Sequence, residues 1–204
     1  MKAIAWIPVA LTLGVLSGCA HGPGQSDERS RPGLERYLPL RVGNQWTYQT
    51  HFQGQQQPDL TIRLVAEKNG YMLDDRPQPS RYRYDAEGLR DGNERYLLKR
   101  PLEKGTAWMS VADLNTVERY RIVDVGRRVQ VPAGVFEDCV VVRLQVVMPG
   151  ERMMRNDMSF APDVGIVEVR TVVLEGKREI PQSHLELESY ALCERPEGCA
   201  PKKK

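Results

Sequence analysis

Apolar and polar residues alternate along most of the chain. Val140, Val142, Leu144, Val146 and Met148 are separated by Val141, Arg143, Gln145 and Val147. Leu60, Ile62 and Leu64 alternate with Thr61 and Arg63, and Leu185 and Leu187 with His184, Glu186 and Glu188. A period of two with one apolar face marks a half-buried strand. Turn-forming pairs punctuate these runs: Asn69-Gly70, Asp91-Gly92, Pro149-Gly150 and Glu175-Gly176. The pattern predicts strands over 45–53, 59–67, 71–75, 80–85, 94–100, 106–111, 117–125, 128–131, 135–148, 151–160, 165–175 and 179–191. Nothing after residue 19 has the periodicity of an amphipathic helix of normal length. The fold class is therefore all-β: a mostly antiparallel curved sheet, or an open half-barrel. Either the sheet curls on itself or a second sheet packs against it.

The chain also repeats itself. Pro39-Leu40-Arg41-Val42-Gly43-Asn44-Gln45-Trp46 matches Pro101-Leu102-Glu103-Lys104-Gly105-Thr106-Ala107-Trp108 as Pro-Leu-x-x-Gly-x-x-Trp. Later in each half an aromatic residue, a turn, a glycine and an aliphatic residue follow in order. These are Tyr84 to Leu89 in the first half and Phe160 to Ile166 in the second. The pattern divides a β domain over 37–192 into two duplicated halves, 37–100 and 101–192. Each half opens with a turn and a tryptophan-bearing strand. Trp46 and Trp108 read as core anchors, with stacking on a ligand as the alternative.

The first residues read differently. Met1-Lys2 precedes an apolar run from Ala3 to Leu16, and Leu16-Ser17-Gly18-Cys19 follows. A short positive start, an apolar stretch too short to span a bilayer comfortably and small residues at a cut site describe an export signal over 1–18. The Leu-Ser-Gly-Cys ending resembles the lipobox of bacterial lipoproteins. That resemblance implies cleavage after Gly18 and acylation of Cys19 by diacylglycerol and a palmitate-type chain. Two or more acyl chains, each buried methylene contributing about 0.8 kcal/mol, hold a protein stably on a membrane. In such lipoproteins Asp after the cysteine favours retention in the inner membrane. Here Ala20 follows, which points to the periplasmic face of an outer membrane.

Residues 19–36 are rich in Gly, Pro, Ser and charge, as in a flexible linker. As a coil this stretch spans about 20–25 Å, and about 55 Å when straight. Residues 193–204 form a charged tail ending Lys202-Lys203-Lys204, the composition of a solvated terminus. Export permits disulfides. Cys193 and Cys199 flank a Pro- and Gly-containing stretch and are expected to pair, leaving Cys139 over in a strand. The alternative joins Cys139 to a tail cysteine. The histidines, His21, His51 and His184, lie at no ligand spacing from the cysteines, so no metal is expected.

Three further strings carry a second resemblance: Pro39 to Tyr48, Val131 to Cys139 and Ala161 to Val167. They read Pro-Leu-x-x-Gly-Asn-x-Trp-x-Tyr, Val-Pro-Ala-Gly-x-Phe-x-x-Cys and Ala-Pro-x-Val-Gly-Ile-Val. Together they are similar to a family of uncharacterised bacterial lipoproteins and exported β proteins. The resemblance covers most of residues 37–190 and implies a lipid-anchored or secreted β domain. It implies no activity, and no site residues follow from it. By itself, Val131-Pro132-Ala133-Gly134 reads as a tight hairpin or bulge.

Charge and chemistry narrow the function. The 29 basic and 27 acidic side chains nearly balance, which argues against a nucleic-acid binder. No serine sits in a Gly-x-Ser-x-Gly elbow, and no phosphate loop or dinucleotide fingerprint occurs. The acidic pairs Asp74-Asp75 and Glu137-Asp138 lie beside turns, where carboxylates commonly cap the chain. His51 and His184 read as strand-surface residues. Tyr82, Tyr84 and Tyr96 are interleaved with Arg81, Arg83, Arg95 and Arg100. That band reads either as a polyanion or glycan surface, or as strands with tyrosines on one face and solvated arginines on the other. The sequence thus predicts a membrane-anchored envelope lipoprotein acting as a non-enzymatic binding or assembly module, without a cofactor. Its partner would be an envelope protein or a lipid. The alternatives are a lipophilic-ligand carrier with an apolar interior cavity and an enzyme with a loop-borne site. A continuous apolar cavity would favour the carrier; a cleft gathering acids and histidines would favour the enzyme.

Overall fold

The computed structural model describes residues 33–113 and 116–193. Cys19, His21 and Cys199, with the signal, most of the linker and nearly all of the tail, lie outside the described residues. The chain is all-β, as its alternation predicts. A short 3₁₀ turn, Leu34–Tyr37, precedes the first six strands: β1 (Gln45–Phe52), β2 (Gln55–Lys68), β3 (Tyr71–Asp74), β4 (Arg81–Tyr84), β5 (Gly88–Asp91) and β6 (Tyr96–Lys99). Six more follow: β7 (Ala107–Asp113), β8 (Thr116–Val131), β9 (Gly134–Met148), β10 (Arg152–Ala161), β11 (Gly165–Glu175) and β12 (Arg178–Ala191).

All twelve belong to one sheet, in the order β6-β5-β4-β3-β2-β1-β12-β11-β10-β9-β8-β7. Every pairing is antiparallel. Each strand lies beside its chain neighbours except at the β6–β7 break, and β1 pairs with β12 in the middle of the sheet. Side chains bridge that break. Trp108 Nε1 donates to Tyr96 O at 2.9 Å, and Arg95 beside β6 pairs with Glu118 of β8 at 2.8 Å. The result is a nearly closed up-and-down barrel whose seam is held by side chains instead of a ladder.

Local chemistry explains the path. Asn69 and Gly70 both have positive φ, 54° and 75°, the conformation a two-residue hairpin needs between β2 and β3. Bulges bend the long strands. β8 carries register shifts between Ile122 and Asp124, Val125 and Arg127, and Arg127 and Val129. Gly126, at φ 82°, sits among them.

The sequence pattern needs three corrections here. The runs 117–125 and 128–131 are one strand, because the bulged backbone keeps its ladder through Gly126. Strand β5, Gly88–Asp91, is absent from the sequence-predicted set: Gly-Leu-Arg-Asp carries one apolar residue and no alternation. Finally, β9 is not apolar on one face throughout, since Cys139, Val140, Val141 and Val142 are all buried.

The folded part also begins earlier than the linker boundary at 36 implies. Leu34, Tyr37 and Leu38 are buried, and the 3₁₀ turn contacts β5, β10 and β11. Arg36 pins it there. Its O accepts from Asp163 N at 2.7 Å, and its guanidinium grips the Asp163 carboxylate, with Nε 2.7 Å from Oδ1.

The repeated strings adopt the same local structure. Gly43 N donates to Leu64 O at 2.7 Å, and Leu64 N to Asn44 O at 2.9 Å. In the second half Gly105 N donates to Ile122 O, and Ile122 N to Thr106 O, both at 2.8 Å. Trp46 and Trp108 each stand second in the strand that follows, on β1 and β7. The later strings span equivalent hairpins, β4–β5 and β10–β11. The boundary between residues 100 and 101 coincides with the open seam of the sheet.

One core fills the barrel. It includes Trp46, Tyr48, Leu64, Leu89, Leu98, Trp108, Tyr120, Ile122, Val140, Val142, Phe160, Val167 and Leu187. The tip of the β8–β9 hairpin, Pro132-Ala133, folds onto β12, where Ala133 N donates to Leu187 O at 2.8 Å. Val129, Val131 and Cys139 follow it into the core. Asn44 ties the two ends of the domain together: its Oδ1 accepts from Cys193 N at 2.7 Å, and its Nδ2 donates to Pro39 O at 2.7 Å.

Candidate functional site

Several sequence-predicted residues turn out to be structural. Trp46 is 3% exposed and Trp108 8%. Trp46 Nε1 donates to Val164 O at 2.7 Å, and the Trp108 ring stacks on Tyr120 with centroids 5.4 Å apart. Both are core residues. Tyr84 is half-buried and donates to Leu38 O at 3.0 Å, and Tyr96 OH donates to Asp85 Oδ2 at 3.0 Å. Burial holds the Tyr84 phenol well above its ordinary pKa.

The arginines of this band are not simply solvated. Arg83 pairs with Glu94 at 2.7 Å, Arg95 pairs with Asp91 at 2.6 Å, and Arg81 lies over the Tyr71 ring. Near neighbours of opposite charge thus occupy much of the band. Asp74 is buried and accepts from Ser80 N at 3.0 Å and Arg76 Nε at 2.8 Å, as a turn cap does. Cys193 is disulfide-bonded, and Cys139 is free and buried. Cys199, the partner expected for Cys193, lies outside the described residues.

An apolar cavity lined by Leu38, Trp46, Tyr48, Ile62, Tyr82 and Ile166 measures about 40 Å³. That is the scale of one water molecule, far below an acyl chain.

A larger opening of about 340 Å³ lies on the other side of the sheet wall, where β1, β12 and β11 run together. Strand register builds it. Arg143 on β9, Asp157 on β10, Arg170 on β11, His184 on β12 and His51 on β1 stand directly opposite one another in sequence. Ser159, Glu168, Glu186 and Gln49 form the adjacent row. Alternation puts both rows on the face opposite Val167, Val169, Leu185 and Leu187, which pack in the core. His51, Gln53, Arg170, Gln182, His184 and Glu186 line the cleft.

His184 lies between two carboxylates. Its Nε2 is 3.0 Å from Glu168 Oε1, and its Nδ1 is 3.5 Å from Glu186 Oε2. The Glu168 contact, helped by Glu186, raises the His184 pKa against the opposing effects of burial and Arg170. The same contact lowers the Glu168 pKa. Ser159 Oγ donates to Glu168 Oε2 at 3.4 Å. This is not a nucleophilic triad: there the histidine stands between serine and acid, whereas here the acid stands between serine and histidine. Among the described residues no cluster of three or more His, Cys, Asp or Glu side chains has metal-binding geometry.

His51 and His184, read from the sequence as strand-surface residues, come together in this cleft. They are 133 positions apart in the chain, and only the β1–β12 pairing makes them neighbours. The one available signal was that both fall on one-faced strands, and that says nothing about which strands pair.

No family model and no curated protein matches this chain. Solved structures that it resembles include one from Bacteroides fragilis, described as an exported protein with a YmcC-like fold. The two chains are 16% identical, with 74% of this chain and 96% of that chain covered and a TM-score of 0.43. Another, from Parabacteroides distasonis and described as a lipoprotein, is 12% identical, with 76% of this chain and 97% of that chain covered and a TM-score of 0.41.

Proposed function

We propose that this chain is a lipid-anchored envelope protein whose β body is a non-enzymatic binding module, and that it engages its partner on the outer cleft of β1, β11 and β12. The contrast between an inner apolar cavity of about 40 Å³ and an outward cleft of about 340 Å³ carries the binding mode. The lipobox Leu16-Ser17-Gly18-Cys19 supports the anchor, and Ala20 after it favours the outer membrane. A partner held at the cleft would rest on three adjacent hydrogen-bonded strands and the β1–β2 turn.

The test is gentle extraction of the full chain from native membranes, followed by mass spectrometry of the material retained. A stoichiometric partner or lipid that is lost from Gln182→Trp, which fills the cleft, is the expected result. Material retained equally by both proteins, or none from either, would refute the cleft as the binding site. Labelling with a radioactive fatty acid tests the anchor separately, and a labelled Cys19→Ser variant would overturn it.

A further inference from the structure

Most acids along the outer rows are already committed. Asp157, directly opposite Arg170, is held from its other side by Arg143, with Nε and Nη2 at 2.7 and 2.8 Å from the two carboxylate oxygens. Arg155 approaches the same carboxylate at 3.7 Å. Glu168 is engaged by His184 and Ser159, and Glu186 by His184. Arg170 is left as an exposed guanidinium with no hydrogen bond or ion pair among the described residues. On its other side it faces His184, whose pKa it lowers.

A second group in the same cleft is also unsatisfied. His51 Nδ1 is buried and has no hydrogen-bond partner among the described residues. A buried polar atom without a partner is costly, so it is a place where a ligand gains more than it would on open surface. Gln53 and Gln182 add amide donors to the same lining.

We infer that this cleft binds an anionic group, a carboxylate or a phosphate, on Arg170 with a further hydrogen bond at His51 Nδ1. A planar guanidinium takes two oxygens of such a group in parallel, which gives orientation as well as charge. Glu186, two residues along β12 from His184, repels an anion, so the charged end belongs on the Arg170 side and a neutral or donor-bearing part belongs near Glu186. The opening exceeds what a bare phosphate fills, so the anion is one end of a larger ligand. This deepens the proposed binding role and rests on it.

The experiment is calorimetric titration of the detergent-extracted full chain at constant ionic strength, with inorganic phosphate in one arm and succinate in the other. The two arms separate the two anion chemistries. Saturable binding in at least one arm is expected, weakened about tenfold or more in Arg170→Gln and partly restored in Arg170→Lys. His51→Phe should weaken it as well. Arg119→Gln, which changes an arginine on β8 away from the cleft, should leave it unchanged. Absence of saturable binding in both arms overturns the inference, as does equal weakening by Arg119→Gln. Loss of anion binding together with retained, cleft-dependent partner capture would sink this inference and leave the binding module standing.

Discussion

His184 on β12 and Glu168 on β11 form a cross-strand contact, Nε2 to Oε1, of 3.0 Å on the outer wall of the barrel. Its pH dependence has a definite sign. The folded His184 pKa lies above its unfolded value of 6.5, so its stabilisation is full below that and is lost as pH rises through the folded value. The folded Glu168 pKa lies below 4.5, so its stabilisation is full above that and is lost as pH falls. Both contributions are complete between those two unfolded values. The other charges facing the pair are Glu186, which strengthens the His184 shift, Arg170, which opposes it, and Arg127, which favours ionised Glu168. His51 stands across the strand from His184. His184→Gln should therefore destabilise the protein most near pH 5.5 and much less near pH 9 (about mid-window, and about 2.5 units above the usual histidine value). Denaturant melts of both proteins at the two pH values check it; equal losses would refute the ion pair.

Trp46 and Trp108 are predicted to behave alike. Each is buried, stands second in its strand and donates its indole N–H to a carbonyl, Val164 O for one and Tyr96 O for the other. Truncation to Ala should cost about 3–5 kcal/mol at each site. Replacement by Phe keeps much of the apolar area but leaves a carbonyl without its donor, so a loss of roughly 1–3 kcal/mol is expected. Equilibrium urea unfolding measures both. An unchanged midpoint for Trp108→Ala would mean that the side chains do not hold the β6–β7 seam.

The one-faced strands were legible because each side of the sheet wall meets a different medium, and alternation records that directly. The two Pro-Leu-x-x-Gly-x-x-Trp strings share a local conformation, with Gly43 and Gly105 at φ 92° and 101°, where side chains are disfavoured. Strand β5 was not legible, since Gly-Leu-Arg-Asp shows no period and derives its place from its neighbours β4 and β6. The break between 117–125 and 128–131 is absent from the structure, where the backbone around Gly126 forms a bulge within one strand. The cleft was hidden for a different reason. Its residues come from β1, β11 and β12, and the pairing of β1 with β12 is a property of the closed meander, not of any local pattern. The tyrosine–arginine band misled in the opposite way: its chemistry is visible in one short stretch, but its partners Asp91, Glu94 and Glu118 are supplied by neighbouring turns and strands.

Gly165 should tolerate no side chain. Its φ of 120° is a conformation that L-residues rarely adopt, and a Cβ there would lie 3.1 Å from both Leu38 Cδ1 and Trp46 Nε1. Both side chains are buried, and each would have to give by a few tenths of an ångström. Gly165→Ala is expected to cost about 1–3 kcal/mol, through overpacking and backbone strain together. Gly54→Ala separates the two causes, because it also has positive φ, 80°, but meets nothing within 4 Å. A smaller loss at Gly54 than at Gly165 in thermal melts is the expected order. The reverse order would show that strain, not the contact with Trp46, dominates.

Cys139 should be chemically silent in the folded protein. Its side chain is buried in the core, and its sulfur faces Phe136 O and Glu137 O at 3.6 and 3.8 Å. Burial, with Glu137 and Asp138 nearby, pushes the thiol up to about 11. Thiolate is the reactive form, so at pH 8 only about one thiol in a thousand would be ionised, before steric exclusion is counted. A chromogenic disulfide reagent added to the native full chain at that pH should therefore leave Cys139 unmodified over hours, and peptide mapping after quenching would show it. In denaturant the same residue should react within minutes as its pKa returns towards about 8.5. Rapid modification under native conditions would mean that the β8–β9 hairpin, which carries Val129, Val131 and Cys139 into the core, opens readily.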